Sequence, residues 1–187
     1  MEFLVEGLKD KADNIWDDYV PIIETGNKID VYLTDIIDAP ANYNKLCNML
    51  QVLPEYAEVT LHINNGGGHI DSALMVVDAI KNSDATIIAK LSGTVASAAT
   101  IITMACDDIT TTKYLSFMIH NYSTGMSGKG HELKAYQNFT DRELNRAFRE
   151  IYKGFLSEEE MDRVIDGQDL WLNENEVEER WLDRKDK

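Results

Sequence analysis

The fold turns on one stretch, Ala85-Thr86-Ile87-Ile88-Ala89-Lys90-Leu91, followed closely by Gly93-Thr94-Val95-Ala96-Ser97-Ala98-Ala99. Residues 85–91 are mostly apolar, with β-branched Thr86, Ile87 and Ile88, and read as a strand. The apolar run Ala98 to Ala105 reads as a buried helix. Ser97 therefore stands where a strand gives way to a helix. Backbone N–H groups at a helix start lack intrahelical acceptors, and the helix dipole places positive potential there. A hydroxyl at that point lies beside donors suited to an oxyanion. A serine there is also an ordinary N-cap, and this stretch alone leaves both readings open.

The unit recurs on either side. Ala57 to Asn64 reads as a strand and runs into a glycine turn, Asn65-Gly66-Gly67-Gly68-His69. Ile70, Ala73, Leu74, Val77 and Ile80 then follow at helical spacing. Tyr114 to Ile119 is a further strand with His120 at its end. Upstream, Lys28 to Leu33 reads as a strand and Asp38-Ala39-Pro40 as a helix entry. Leu46, Met49, Leu50 and Leu53 give that helix a buried stripe, and Pro54 ends it. Strands alternating with helices predict an α/β fold of parallel crossover units. Functional groups in such sheets gather at the carboxyl ends of strands, where the glycine turn, Ser97 and His120 all fall.

Tyr122 to Gly130 reads as an extended link, and residues 131–155 as a long helix with Leu144, Phe148, Ile151 and Phe155 on one stripe. Ser157 with Glu160, and Asn173 with Glu176, match the capping-box pattern. Residues 1–24 read as a polar, partly helical segment with Trp16 and Tyr19 as anchors. No linker, internal repeat or low-complexity tract divides the 187 residues, which predicts one domain.

The chain carries 33 acids against 18 bases, a formal net charge of −15. That disfavours nucleic acid, whose phosphates need a basic face, and an anionic membrane surface. The apolar runs are far shorter than a membrane span. Met1 to Gly7 is too acidic and too briefly apolar for a signal peptide. Cys47 and Cys106 lie in apolar runs and form neither a disulfide framework nor a metal spacing. These features predict a cytoplasm-like, reducing location.

Acyl transfer by serine needs a nucleophile, a base, a group that orients the base, and oxyanion donors. Ser97, His120 and Asp169 can fill the first three roles, and the Gly68 and Ala98 N–H groups the fourth. Asp166 rivals Asp169. His62 and His69 read as structural, and His131 as solvent-facing. Each part has an ordinary alternative: an N-cap serine, a strand-end histidine, a glycine loop, a loop acid.

Four motifs together resemble the proteolytic-subunit family of the Clp protease, a self-compartmentalising serine peptidase. Ile63-Asn64-Asn65-Gly66-Gly67-Gly68-His69-Ile70 resembles that family's Ile-Asn-Ser-Pro-Gly-Gly-Ser-Val. Gly93 to Ala99 resembles its Gly-Gln-Ala-Ala-Ser-Met-Gly, with Ser97 on the nucleophile. Met118-Ile119-His120-Asn121 resembles Met-Ile-His-Gln, with His120 on the base. Gln168-Asp169-Leu170-Trp171-Leu172 resembles Arg-Asp-x-Phe-Leu, which favours Asp169 over Asp166. The resemblance covers about residues 28–183. It departs at Gly66 and Tyr122, where the family has prolines, at Ala99, at Trp181, and across residues 1–27. Such departures suit an atypical member, including a viral or phage-encoded one.

The resemblance implies a crotonase-like α/β spiral of repeated β-β-α and βα units in a single domain, with residues 121–155 as a protruding handle. It implies a serine endopeptidase acting inside a chamber of two stacked, seven-membered rings, a tetradecamer. Extended peptides or unfolded proteins would pair with Gly68, His69 and Ile70 and with Ser123, Thr124 and Gly125. An ATP-driven AAA+ unfoldase would be the partner, and no metal or organic cofactor is implied. The alternatives are a catalytically silent scaffold of the same fold, as in viral prohead maturation, and an acyl-CoA enzyme of the crotonase group. The latter usually needs a carboxylate where Ser97 stands.

Overall fold

A computed structural model describes residues 19–185. Residues 1–18 of the expected polar, partly helical segment, Trp16 among them, lie outside the described residues. Ordered along the chain are β1 (Ile22–Thr25), β2 (Lys28–Ile37), a 3-10 turn (Pro40–Tyr43), α1 (Asn44–Val52), β3 (Glu58–Gly68) and α2 (Ile70–Lys81). Then come β4 (Thr86–Ala96), α3 (Ala98–Thr103), β5 (Asp108–Thr111), β6 (Ser116–Ile119), α4 (Gly130–Ile151), α5 (Glu158–Ile165), β7 (Leu170–Leu172) and α6 (Glu174–Lys185). The architecture is mixed α/β.

The strands form one sheet in the order β1-β2-β3-β4-β6-β7, and β5 also pairs with β4. β2, β3, β4 and β6 run parallel, so their carboxyl ends share one edge. β4 is long enough to hold two partners in succession. Ile88 to Leu91 pair with β5, and Thr94 to Ala96 pair with β6.

Period-two patterning decides which face is covered. In β3, Val59, Leu61 and Ile63 are buried, while Glu58, Thr60 and His62 alternate on the half-exposed face. His62 is satisfied there: Nε2 meets Asp30 Oδ1 at 2.6 Å and the ring stacks on Tyr32. The helical stripes pack on the covered face. Leu46 and Leu50 of α1, Val76 and Ile80 of α2, and Ile101 and Ile102 of α3 join the strands in a common core.

The structure corrects several expectations. Gly66 to Gly68 continue β3 rather than forming a turn after it. Gly68 pairs with Ile37, and its φ of +143° leaves a hypothetical Cβ 2.1 Å from the Ile37 carbonyl oxygen, so only glycine fits. Residues 22–24, read as part of a polar segment, belong with Thr25 to a strand that forms an antiparallel hairpin with β2. β5 was not foreseen. The long helix ends at Ile151, and residues 152–156 form a turn that delivers Phe155 to the core.

Both capping boxes close. Ser157 Oγ accepts the Glu160 N–H at 3.2 Å, and Glu160 Oε2 accepts the Ser157 N–H at 3.0 Å. Asn173 Oδ1 and Glu176 Oε2 do the same for α6. Trp181 of α6 is buried and its indole N–H donates to Asp108 Oδ1 at 3.1 Å. No helix among the described residues is long and apolar enough to cross a membrane.

Candidate active site

β4 ends at Ala96, and α3 begins at Ala98. Ser97 makes the turn between them with φ 54° and ψ −125°. This is a conformation that L-residues adopt only when their surroundings enforce it. Enforcement comes from both sides. The Ser97 N–H donates to the Met118 carbonyl at 2.9 Å, and the Ser97 carbonyl accepts from Thr100 N–H at 2.9 Å and Thr100 Oγ1 at 2.7 Å. Thr100 Oγ1 in turn lies 2.6 Å from the hydroxyl of buried Tyr152. A sharp strand-to-helix turn of this kind lifts a serine hydroxyl out of the packed interior.

The Ser97 side chain makes no N-cap bond. Its Oγ lies 2.7 Å from His120 Nε2. His120 follows β6, and the β4–β6 pairing at Ala96↔Met118 sets the two strand ends side by side. The hydroxyl and imidazole, 23 residues apart in sequence, thus meet in hydrogen-bond contact. That is the geometry a general base needs toward a nucleophile.

The glycine strand end closes over this turn. A Cβ on Gly67 would fall 2.6 Å from Ser97 Cβ and 3.0 Å from the Ala98 nitrogen. Asn65, buried in the strand, accepts the Gly67 N–H through Oδ1 at 2.8 Å and fixes the approach. Ala98, as the first residue of α3, has no intrahelical acceptor for its N–H.

A cleft of about 630 Å³ opens at this edge. Gly68, His69, Ile70, Ser97, Ala98, His120, Ser123, Thr124 and Gly125 all line it. The opposite wall comes from α4 and the turn after it, through Tyr136, Phe139, Thr140, Glu143, Leu144, Phe148 and Tyr152. Sequence reasoning assigned Leu144 and Phe148 to a packing stripe and overlooked Tyr136, Phe139 and Thr140. Tyr136, Thr140 and Leu144 recur at intervals of four, which was the signal available.

Asp169 stands apart from the contacts made by Ser97 and His120. It precedes β7, which pairs antiparallel with β6 through Ile119↔Leu170. Asp169 and His120 each stand one residue beyond that last pair. The carboxylate is exposed, and no hydrogen bond or ion pair among the described residues joins it to the imidazole. Asp166, its rival, caps α5 and is also exposed. His131 is exposed at the start of α4.

The cysteines are poor nucleophile candidates. Burial raises the Cys106 thiol well above its ordinary range, aided by the neighbouring Asp107 charge, and burial does the same to Cys47. Among the described residues, no three His, Cys, Asp or Glu side chains cluster as metal ligands would.

Comparison with known proteins bears on these geometric findings. The family profile described as Clp protease matches residues 20–179. The chain is also similar to the ATP-dependent Clp protease proteolytic subunit 2 of Pseudomonas aeruginosa, 28% identical over 124 residues. That alignment covers 64% of this chain and 60% of the relative, so the chain spans less than two thirds of the relative's length.

Proposed function

The chain belongs to the Clp protease family, and from that premise we infer that it is a serine endopeptidase. Ser97 Oγ attacks the peptide carbonyl while His120 Nε2 takes its proton. The Gly68 and Ala98 N–H groups receive the resulting oxyanion. His120 then returns the proton to the leaving amine, which departs as the C–N bond breaks, and an acyl-Ser97 ester remains. Water, deprotonated by His120, hydrolyses that ester and restores the serine. The observation that carries this reading is the 2.7 Å contact between Ser97 and His120, made by a serine held at φ 54°.

Asp169 is proposed as the third member, holding the Nδ1–H tautomer of His120. Its place one residue before the Leu170 that pairs with Ile119, next to His120 in the chain, supports this. The role requires its carboxylate to rotate onto the ring from its exposed position. Asp169→Asn is then expected to lower kcat by about 10²- to 10⁴-fold, with Asp166→Asn close to wild type. Equal activities for all three proteins would remove Asp169 from the mechanism.

Extended peptides are proposed to lie along the cleft, pairing with backbone at Gly68, His69 and Ile70 on one side and at Ser123, Thr124 and Gly125 on the other. α4 would be the handle of a single spiral domain, joining stacked heptameric rings around a chamber that an AAA+ unfoldase feeds. The proposed setting is the cytoplasm, where Cys47 and Cys106 stay reduced. Light scattering on the purified protein, with hydrolysis of an unstructured protein, tests both parts. A ring-sized particle with Ser97-dependent cleavage is expected. A ring-sized particle without cleavage would instead fit a scaffold.

A further inference from the structure

Two side chains tie down the backbone immediately after His120. Asn121 Nδ2 donates to the Ile165 carbonyl at 2.7 Å, at the end of α5, while Asn121 Oδ1 accepts the Tyr122 N–H at 2.8 Å. Tyr122 then reaches across to α4. Its hydroxyl donates to Asp141, and Gln137 Nε2 donates to both the Tyr122 oxygen, at 2.7 Å, and Asp141 Oδ1, at 2.9 Å. Gln137 and Asp141 are one helical turn apart, so both face the link. All three residues are half-buried. Burial, reinforced by the Asp141 carboxylate, raises the Tyr122 phenol above its ordinary range, so the proton stays on the oxygen and Tyr122 remains the donor.

Beyond this point the restraint stops. Ser123, Thr124 and Gly125 are exposed and make no hydrogen bond among the described residues, yet they line the cleft. A segment that must pair with a peptide as a strand edge loses backbone freedom on binding, and that loss weakens affinity. Fixing the residue just before it transfers part of the loss from binding to folding.

We propose that Tyr122 is a positioning residue whose hydroxyl, held by Gln137 and Asp141, docks the link on α4 so that Ser123 to Gly125 present a pre-ordered edge to extended peptides. This rests on the peptidase reading of the preceding subsection. The latch acts on peptide binding rather than on proton transfer at Ser97. It also joins α4 to the chain that carries the base, so displacement of the helix reaches the peptide edge through one tyrosine.

The test compares two substrates on the full-length assembled protein. One is an unstructured decapeptide long enough to reach the link. The other is an acetyl-amino-acid nitrophenyl ester that reaches only Ser97. Tyr122→Phe and Asp141→Ala are each expected to raise KM for the decapeptide about five- to tenfold with kcat within about twofold. The ratio of decapeptide to ester kcat/KM should fall by a similar factor. Combining the two substitutions should add little, because either one opens the latch. Gln137→Ala should give a smaller shift in the same direction.

An unchanged decapeptide KM in both Tyr122→Phe and Asp141→Ala would overturn the proposal. So would a parallel loss on both substrates, which marks a general packing defect. Wild-type protein that hydrolyses neither substrate and leaves Ser97 unmodified by a fluorophosphonate would overturn the peptidase reading, and the latch with it.

Discussion

One wall of the cleft is built from strand ends and the short helix α3, and the other is one face of α4. The strand-end wall is rigid because its parts are held many times over. Parallel ladders fix Ala96 beside Met118 and Ile37 beside Gly68, and the residues beneath, such as Val95, Ala99 and Phe117, are fully buried. The helix wall has much less behind it. Along α4 only Phe148 and Ile151 are buried, while Tyr136 and Phe139 are more than half exposed. Tyr122, Gln137 and Asp141 bind that wall to the start of the link. The lesson is a division of labour. On the proposed peptidase reading, the chemistry that tolerates no displacement would sit on the ladder, and the surface that admits different peptides on the loosely backed helix.

Substitutions sharpen the contrast. Ser97→Ala should cost the most, about 10⁴-fold or more in kcat, with an unchanged thermal transition. Loss of activity together with loss of the fold would mean that Ser97 is structural. Gly67→Ala comes next. Its φ of +94° and the 2.6 Å approach to Ser97 Cβ leave no room for a methyl group. Displacing the turn by a fraction of an ångström should lower kcat by about 10²-fold, read as kcat with KM measured alongside. Wild-type kcat in this variant would show that the ladder wall yields, and the contrast would fail.

A third substitution probes the pairing of α5 with α6, away from the cleft. Arg180 of α6 donates to Glu160 of α5 through Nη1 at 3.0 Å and Nη2 at 2.8 Å, and both side chains are largely buried. The guanidinium, followed by the Ser157 N–H cap, holds the Glu160 carboxyl down at about 2. A depressed carboxylate stabilises the fold fully above its ordinary value of 4.5, and that contribution fades as pH falls toward about 2. Arg180→Ala should therefore cost about 1–3 kcal/mol at neutral pH and flatten the stability profile across that acid window. Denaturation measured at several pH values checks both. The smallest effect belongs to exposed Phe139. Phe139→Ala should move stability by no more than about 0.5 kcal/mol while lowering kcat/KM for apolar peptides a few-fold. A large loss of stability would mean that α4 is more firmly backed than its exposure indicates.

The sequence disclosed the parts of this molecule that repeat a pattern. Strand followed by helix was readable at Val59 to Ile80 and at Ile87 to Ile102, because periods of two and 3.6 both show there. The two capping boxes were readable because their chemistry is local. β1 was not, since Ile22-Ile23-Glu24-Thr25 shows no alternation and gains its pairing only from β2. β5 was hidden for the same reason: Asp108-Ile109-Thr110-Thr111 buries one side chain, and β4 supplies the rest. The three glycines looked like a turn because propensity disfavours them in strands, but close approach of two backbones overrode propensity.

At the site, Ser97, His120 and the glycines were legible by position at strand ends. The meeting of Ser97 and His120 was not, because periodicity carries no distance. Asp169 shows the limit most clearly: motif order names it, and it stands one residue before the last paired position of β7, yet its carboxylate makes no hydrogen bond to the ring. The Tyr122 latch had no local signature, as its partners lie 15 and 19 residues away on another element.

The central claim is that Ser97 is an activated nucleophile, and a fluorophosphonate probe tests it most directly. Mass spectrometry of the treated protein should find one adduct per chain, on the peptide containing Ser97, formed in step with loss of peptide hydrolysis. His120→Ala should slow that modification severely while the protein stays folded. Peptide hydrolysis that persists with Ser97 fully modified, or a probe that settles on another residue as activity disappears, would contradict the account.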